Sequence, residues 1–272
     1  MSDLFASGFT AGAEGPSCDF CGNVYAVDYL RTGTIGRVGP DGAAEVFFSL
    51  PVGSVGCGTC LGRDGGLYIA DYTGHKILRL DLHSKDVSCF VHEPSMTQPN
   101  DIVEAEKGLF FASDPDWKAG TGRLWRCLAG KAELLEDHRG TTNGVELNPE
   151  GTILYVNETV QRNIWTYEVS PGGLLSNKRL FASFEDFGLD GMACDGAGHL
   201  FAVRFGKGTV VEFSPDGAQL REISLQGKNC TNIAFGGPDG RTAYVTMSDS
   251  GCIESFPVET PGRLWAQREG KE

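Results

Sequence analysis

The stretch that decides the fold reads GLYIAD at residues 66–71, and variants of it recur along the whole chain. The related frames are NVYAVD at 23–28, LFFASD at 109–114, ILYVNE at 153–158, HLFAVR at 199–204 and TAYVTM at 242–247. Each frame has an aromatic residue at its third position, and successive aromatic residues lie 43, 43, 44, 46 and 43 residues apart. A fixed period of this length is typical of repeat architectures built from one supersecondary unit.

Each repeat also contains the other parts of a small antiparallel sheet. A turn sequence precedes the aromatic residue, and strand-like runs follow it, such as KILRLDL at 76–82, NIWTYEV at 163–169 and GTVVEFS at 208–214. Six units of about four short strands predict an all-β, six-bladed β-propeller forming one domain over residues 1–272. We expect an N-terminal strand at about residues 4–9 to complete the last blade. A two-sheet sandwich would not explain six evenly spaced copies.

Composition and charge narrow the classes of partner and compartment. The 272 residues include 38 Gly, 16 Phe, 7 Tyr and 4 Trp, which favours short strands joined by tight turns. A formal charge of −13 repels phosphate backbones and anionic lipid, so we do not expect nucleic acid or membranes as partners. The same charge favours binding of a cation. The N-terminus has no secretory pattern, and nine cysteines show no disulfide framework. These features predict a cytoplasmic protein, monomeric or a weak homo-oligomer.

The repeat register singles out one residue at the start of each blade's first strand, the strand nearest the central axis. These six residues, the ring positions, lie 11 or 12 residues before each aromatic residue, and they are Glu14, Cys57, Asn100, Asn143, Asp190 and Asn232. Five of the six carry oxygen, where a core strand would carry apolar side chains. Polar groups that converge in a buried tunnel need a compensating partner, and one divalent cation is the simplest.

The chemistry of the ring positions leaves the identity of the cation open. Oxygen ligands suit Ca²⁺, Mg²⁺ or Mn²⁺, and Zn²⁺ or Fe²⁺ can be held with lower preference. Two other interpretations account for the same residues: one buried Ca²⁺ only holds the blades together, or water fills a polar tunnel. Each asparagine alone is also an ordinary turn residue, as in QPND at 98–101. Their shared register is the argument for a site.

Two Cys-x-x-Cys pairs occur near the N-terminus, in AEGPSCDFCG at 13–22 and GCGTC at 56–60. Residues three apart in an extended strand point to opposite faces, so neither pair can hold one metal ion within a strand. We therefore predict no four-cysteine site. Cys57 alone occupies a ring position and is a candidate to line the pocket.

Five motifs together resemble the senescence-marker-protein/gluconolactonase family, which includes regucalcin and the luciferin-regenerating enzymes. The resemblance spans about residues 12–262, and its motifs are EGPSCD at 14–19, QPND at 98–101, TNGVELNPEGTILYVNET at 142–159, LDGMACDGAGHLFAV at 189–203 and TNIAFGGPDGRTAYVT at 231–246. Members are six-bladed propellers with a divalent metal in the central tunnel, and most characterised members hydrolyse sugar lactones. The resemblance implies Glu14, Asn143 and Asp190 as metal ligands, with Asn100 as a substrate contact.

Two positions depart from the family pattern. Cys18 stands where the family usually has Trp or Phe, and Gln98 stands where animal members have Arg. The first change reduces packing without touching a ligand. The second removes a sugar-lactone contact, so the resemblance does not fix the substrate.

The expected activity is metal-dependent opening of a small lactone such as an aldonolactone, with Asp190 as the general base that activates water. Loops after the aromatic residues should supply further substrate contacts, and the candidates are Trp117 in DPDWKAGTGR at 114–123, Tyr72, Arg204 and Cys57. The alternatives are a phosphoester or phosphofluoridate hydrolase of the same fold and a non-catalytic calcium-binding or ligand-sensing propeller. The chain contains no HExxH pair and no GxSxG nucleophile elbow.

Overall fold

The computed structural model describes residues 1–269 and confirms the six-bladed β-propeller. Its strands form six antiparallel sheets of four strands each. In five of the sheets the four strands are consecutive in the chain and follow their chain order across the sheet. The sixth sheet combines the last three strands of the chain with one from the N-terminus, which is its outermost strand.

Strand β1, Asp3–Ser7, belongs to blade six. The strands of the first three blades have the following bounds: β2 Phe9–Cys18, β3 Val24–Tyr29, β4 Thr34–Val38, β5 Ala44–Ser49, β6 Gly56–Leu61, β7 Gly66–Asp71, β8 Lys76–Asp81, β9 Val87–His92, β10 Ile102–Glu106, β11 Leu109–Asp116, β12 Thr121–Leu128 and β13 Lys131–Arg139. Those of the other blades are β14 Thr142–Leu147, β15 Ile153–Glu158, β16 Asn163–Val169, β17 Leu175–Ser183, β18 Met192–Cys194, β19 Leu200–Arg204, β20 Thr209–Phe213, β21 Gln219–Ser224, β22 Cys230–Gly236, β23 Thr242–Met247 and β24 Cys252–Pro257.

The repeated aromatic residues explain how the blades pack. All six are buried on the second strand of their blade, with at most 6% of their surface exposed. The apolar clusters join neighbouring blades: Tyr25 of blade one packs with Leu67 and Ile69 of blade two. The hydrophobic core therefore lies between the sheets, which is how a propeller built from small sheets buries enough apolar surface.

Strand β1 joins the two ends of the chain. It pairs antiparallel with β24, from Asp3 opposite Ser255 to Ser7 opposite Cys252. The buried carboxylate of Glu254 on β24 accepts a hydrogen bond from the Ser2 hydroxyl. It also accepts hydrogen bonds from two backbone N–H groups that enter blade six. The N-terminal segment thus covers the edge that β24 would otherwise expose.

The chain ends in a short helix, α1 (Arg263–Glu269), which the repeat pattern does not predict. Its Trp265 is buried against the cluster that contains Cys18 and Tyr244. Its Arg263 is 5% exposed and forms an ion pair with Glu146, with 3.0 Å between Nη2 and Oε1. Within residues 1–269, no helix is long and apolar enough to cross a membrane.

Removing residues 1–7 should destabilise the propeller, because the edge of β24 loses its partner and unpaired strand edges favour aggregation. We expect Tm to fall by at least about 5 °C in thermal denaturation, with larger species in size-exclusion chromatography. Leu4→Ala is the control, since Leu4 is 59% exposed and its backbone pairing is retained. An unchanged Tm for the truncated protein would contradict this role of β1.

Candidate functional site

The structure brings the ring positions together at one end of the central tunnel. Strand pairing places them beside the loops that follow the second strands: Gly56, next to Cys57, pairs with Asp71 at the end of β7. The Asn232 side chain lies beside the Glu14 carboxylate and partly opposes the rise in its pKa, and the Asn143 side chain does the same for Asp190. Asn143 Nδ2 itself donates a hydrogen bond to Thr159 Oγ1 at 3.0 Å.

Burial and mutual repulsion dominate the electrostatics of the ring. Burial raises the pKa of Glu14, although the Gly15 backbone N–H, 2.8 Å from Oε1, opposes the shift. Burial, and then the negative charge of Glu14, raise the pKa of Asp190 well above its usual value. Burial followed by the same two carboxylates raises the pKa of Cys57, so its thiol is protonated at neutral pH and is not a nucleophile.

A third carboxylate at the ring, Asp101, is buried and was missed by the sequence argument. Its Oδ1 accepts a hydrogen bond from its neighbour's backbone N–H, and its Oδ2 accepts one from Val145 of blade four at 3.2 Å. Burial, with Glu14 as the next cause, raises the pKa of Asp101 to about 8. The available signal was its place beside Asn100 in QPND, where most other blades have glycine after the ring position.

The donor set fits a divalent cation. Glu14 and Asp190 are half-buried carboxylates whose negative charges repel each other, and a cation between them would relieve that cost. Across residues 1–269, no three His, Cys, Asp or Glu side chains form a group that could hold a metal ion. A cation at the ring would therefore need amide oxygens beside the two carboxylates, and Asn143, next to Asp190, could supply one in an oxygen set of the kind that hard cations prefer.

Glycine follows four of the six ring positions because the first strands approach each other closely. A Cβ at Gly191 would lie 1.8 Å from Asn232 Oδ1, and one at Gly144 would lie 2.4 Å from the Asp190 backbone oxygen. A Cβ at Gly15 or Gly58 would meet backbone atoms of the next blade at 2.3 Å and 2.6 Å. Real Cβ atoms do not approach other atoms so closely, so any side chain here would displace the ring.

In blades two, three and four a buried carboxylate lies three residues after the repeated aromatic residue. These fastening carboxylates hold the backbone segments that lead to the ring positions. Each accepts a hydrogen bond from a backbone N–H two or three residues before a ring position. The pairs are Asp71 with Val55 at 3.1 Å, Asp114 with Gln98 at 2.6 Å and Glu158 with Gly140 at 3.1 Å. The polar ends of the second strands therefore position the first strands.

Arg204 occupies the same repeat position in blade five, with the opposite charge. Its guanidinium donates from Nη2 to the backbone oxygen of Asp186, four residues before Asp190, and to Asp186 Oδ1 at 2.9 Å. It also lies 3.6 Å from the centre of the Phe184 ring and is 1% exposed. These contacts give Arg204 a structural role, because they hold the segment that leads to Asp190. The sequence had made Arg204 a candidate substrate contact.

The other predicted substrate contacts differ in their surroundings. Cys57 and Tyr72 are half-buried, and Gln98 Nε2 donates to Tyr72 Oη at 2.5 Å. The Asn100 backbone is held by its N–H bond to Ser113 O at 2.9 Å, and the residue is buried. Trp117 is 37% exposed at the tip of the β11–β12 hairpin, whose strands extend further than the sequence pattern indicates.

The cysteines are all free thiols. Cys18 is buried, Cys21 is exposed, and Cys57 and Cys60 are half-buried. Within the described residues 1–269, these thiols do not form a metal-binding group.

A cavity of about 90 Å³ lies between the ring and α1. Its lining includes Asp101 and Asn232 near the ring and Arg263 and Trp265 from α1. Because the buried Arg263–Glu146 ion pair anchors α1 there, the helix occupies the end of the tunnel opposite the loops that follow the second strands.

Comparison with known proteins agrees with the motifs. The family model described as SMP-30/Gluconolactonase/LRE-like region matches residues 12–249. Pentonolactonase XacC of Haloferax volcanii is 31% identical over 230 residues, covering 83% of this chain and 77% of that protein. The 6-deoxy-6-sulfogluconolactonase of Pseudomonas putida is 29% identical over 262 residues, with 88% of each chain covered.

A solved structure shares the fold. The calcium-binding protein regucalcin from Agrobacterium tumefaciens strain C58 superposes with a TM-score of 0.84 at 21% identity, covering 96% of this chain and 95% of that one. At this identity the likeness shows the fold alone. Together, the sequence and structure matches confirm the family resemblance carried by the five motifs.

Gly191→Ala should disturb the ring directly, because the new Cβ would overlap the side chain of Asn232, itself a ring position. We expect a loss of about 1–3 kcal/mol in the free energy of unfolding, measured by urea denaturation. Gly188→Ala is the matched control three residues upstream, where the nearest atom is a Thr159 methyl carbon at 3.2 Å. Equal stability of the two variants would show that the inner strands are not packed as described.

Proposed function

The chain belongs to the SMP-30/Gluconolactonase/LRE-like family, and we propose that it is a divalent-metal-dependent hydrolase that opens a small lactone ring of the sugar-acid class. The observation that carries the proposal is the pair of half-buried carboxylates Glu14 and Asp190, with the Asn143 side chain beside Asp190. The names of the lactonase relatives support the substrate class.

Glu14, Asn143 and Asp190 would hold one divalent cation through oxygen. Ca²⁺, Mg²⁺ and Mn²⁺ match this set best, and Zn²⁺ or Fe²⁺ remain candidates to be tested. When bound, such a cation supplies electrophilic polarisation of a carbonyl oxygen and makes a nearby water molecule more acidic.

Asp190 is the proposed general base. Its carboxylate oxygen takes a proton from the water that attacks the lactone carbonyl carbon, and the same proton then passes to the ring oxygen as the acyl C–O bond breaks. Water is added across that bond, so the product is the open hydroxy acid. Asn100, whose backbone is fixed beside the ring, can donate to and accept from a substrate hydroxyl.

Asp190→Asn should separate catalysis from folding. After loading with each candidate cation in turn, we expect the wild type to open an aldonolactone faster than buffer in a pH-stat assay. The variant should lose at least about 100-fold in kcat, because the amide cannot accept the proton. Asp216→Asn, an exposed turn carboxylate, is the control and should retain wild-type kcat.

Thermal denaturation gives an independent readout of the metal site. An added divalent cation should raise the Tm of the chelator-treated wild type, because it binds only the folded protein, and should raise that of Asp190→Asn much less. Full lactonase activity in Asp190→Asn would refute the base assignment. A wild type that opens no lactone with any cation would refute the lactonase proposal, and a parallel phosphotriester assay would test the other hydrolase activity.

A further inference from the structure

An uncharged hydrogen-bonded pair lies at the tunnel mouth between blades two and three. Tyr72 follows the second strand of blade two, and Gln98 precedes the first strand of blade three. The Gln98 side-chain amide donates from Nε2 to Tyr72 Oη at 2.5 Å. Both residues are half-buried, so they have surface left for a ligand.

The pair adjoins two ring positions. The Tyr72 backbone N–H donates to the Val55 oxygen at 2.8 Å, two residues before Cys57. Burial, and then the Cys57 thiol, raise the pKa of Tyr72. Gln98 lies two residues before Asn100. A lactone held at the ring would thus meet Tyr72 and Gln98 on one side.

The hydrogen bond also fixes which atoms can reach a ligand. Tyr72 Oη accepts from Gln98, so its own proton is free to be donated. Gln98 is itself held, because the buried Asp114 carboxylate accepts its backbone N–H at 2.6 Å and the Trp125 indole N–H at 2.9 Å. The Tyr72 hydroxyl is therefore presented as an oriented donor.

The charged groups around this wall offer little to an anionic substituent. The fastening carboxylates Asp71 and Asp114 lie behind it. Lys76 is engaged by Asp71, with Nζ 3.4 Å from Oδ2, and Arg123 is engaged by Asp137, with Nε 3.0 Å from Oδ1. A phosphate, sulfonate or carboxylate would lose hydration here and face these carboxylates.

We propose that the Tyr72–Gln98 pair makes the site selective for an uncharged, hydroxylated lactone, with Tyr72 donating a hydrogen bond to a substrate hydroxyl oxygen. Gln98 positions the Tyr72 hydroxyl group through its hydrogen bond. Lactones with an anionic substituent are disfavoured. This inference rests on the proposed lactonase function and names the substrate class within it.

The first test compares an aldonolactone with the same ring carrying a 6-phosphate. The metal-loaded wild type should prefer the uncharged lactone by at least tenfold in kcat/KM. Gln98→Arg should reduce or reverse that preference by about tenfold, because it puts a cation at the wall. Gln219→Arg adds the same charge on the exposed outer strand of blade five and should leave the preference unchanged.

The second test isolates the Tyr72 hydroxyl. Tyr72→Phe should raise KM for the aldonolactone about three- to tenfold, the usual effect of losing one hydrogen bond, with little change in kcat. It should leave KM for an unsubstituted lactone ring unchanged. Tyr29→Phe is the matched control, since Tyr29 holds the equivalent place in blade one and its hydroxyl donates to the Ala44 oxygen at 3.3 Å.

The exposed Lys118 is a cation at the β11–β12 hairpin tip, on the blade that Gln98 precedes. Lys118→Met should not alter the preference for the uncharged lactone. Three results would overturn the inference: equal or faster opening of the 6-phosphate by the wild type, a reversed preference that depends on Lys118, or an equal rise of KM in Tyr72→Phe for hydroxylated and unsubstituted rings. A wild type that opens no lactone refutes the proposed function and this inference with it, whereas opening both lactones equally refutes the inference alone.

Discussion

The close approach of six first strands to one axis is the constraint on which the rest of this structure depends. A Cβ at Gly191 would lie 1.8 Å from the Asn232 side chain, and one at Gly58 would lie 2.6 Å from the Asn100 backbone oxygen. Because the strands leave no room for side chains after most ring positions, the ring side chains project into a narrow shared space. The charged groups in this space therefore influence one another's pKa values.

The close grouping of carboxylates at the ring destabilises the folded chain, although it suits a functional site. Asp101 is buried and Glu14 and Asp190 are half-buried. Burial raises the pKa of all three carboxyl groups, and the charge of Glu14 raises the pKa of Asp101 and Asp190 further. Such a cluster is expensive in a core, and residues that break the rules of stable packing are often those that carry function. The proposed cation would explain why the cluster is tolerated. The fastening groups around the ring, three carboxylates and Arg204, hold the entering backbone in place while the ring itself bears this strain.

The repeat made the fold and the ring predictable from the sequence. Evenly spaced aromatic residues record the blades, and a constant offset from them records the ring, because both follow from one strand geometry copied six times. Gln98, Arg204 and α1 were different, since their roles depend on single contacts outside the repeat. Arg204 is placed by the repeat at the rim, but its partner Asp186 and the Phe184 ring decide that it is buried. Asp101 was not predicted, because a polar residue next to an asparagine is typical of a turn and QPND has the composition of one.

The central claim is that Glu14, Asn143 and Asp190 form one cation site at the tunnel mouth. The most direct measurement is an anomalous difference map from crystals of the protein soaked in Mn²⁺. We predict a single strong peak at about 2.0–2.6 Å from an oxygen of each of the three side chains. A map without a peak among these side chains, or with the strongest peak at another place, would contradict the account.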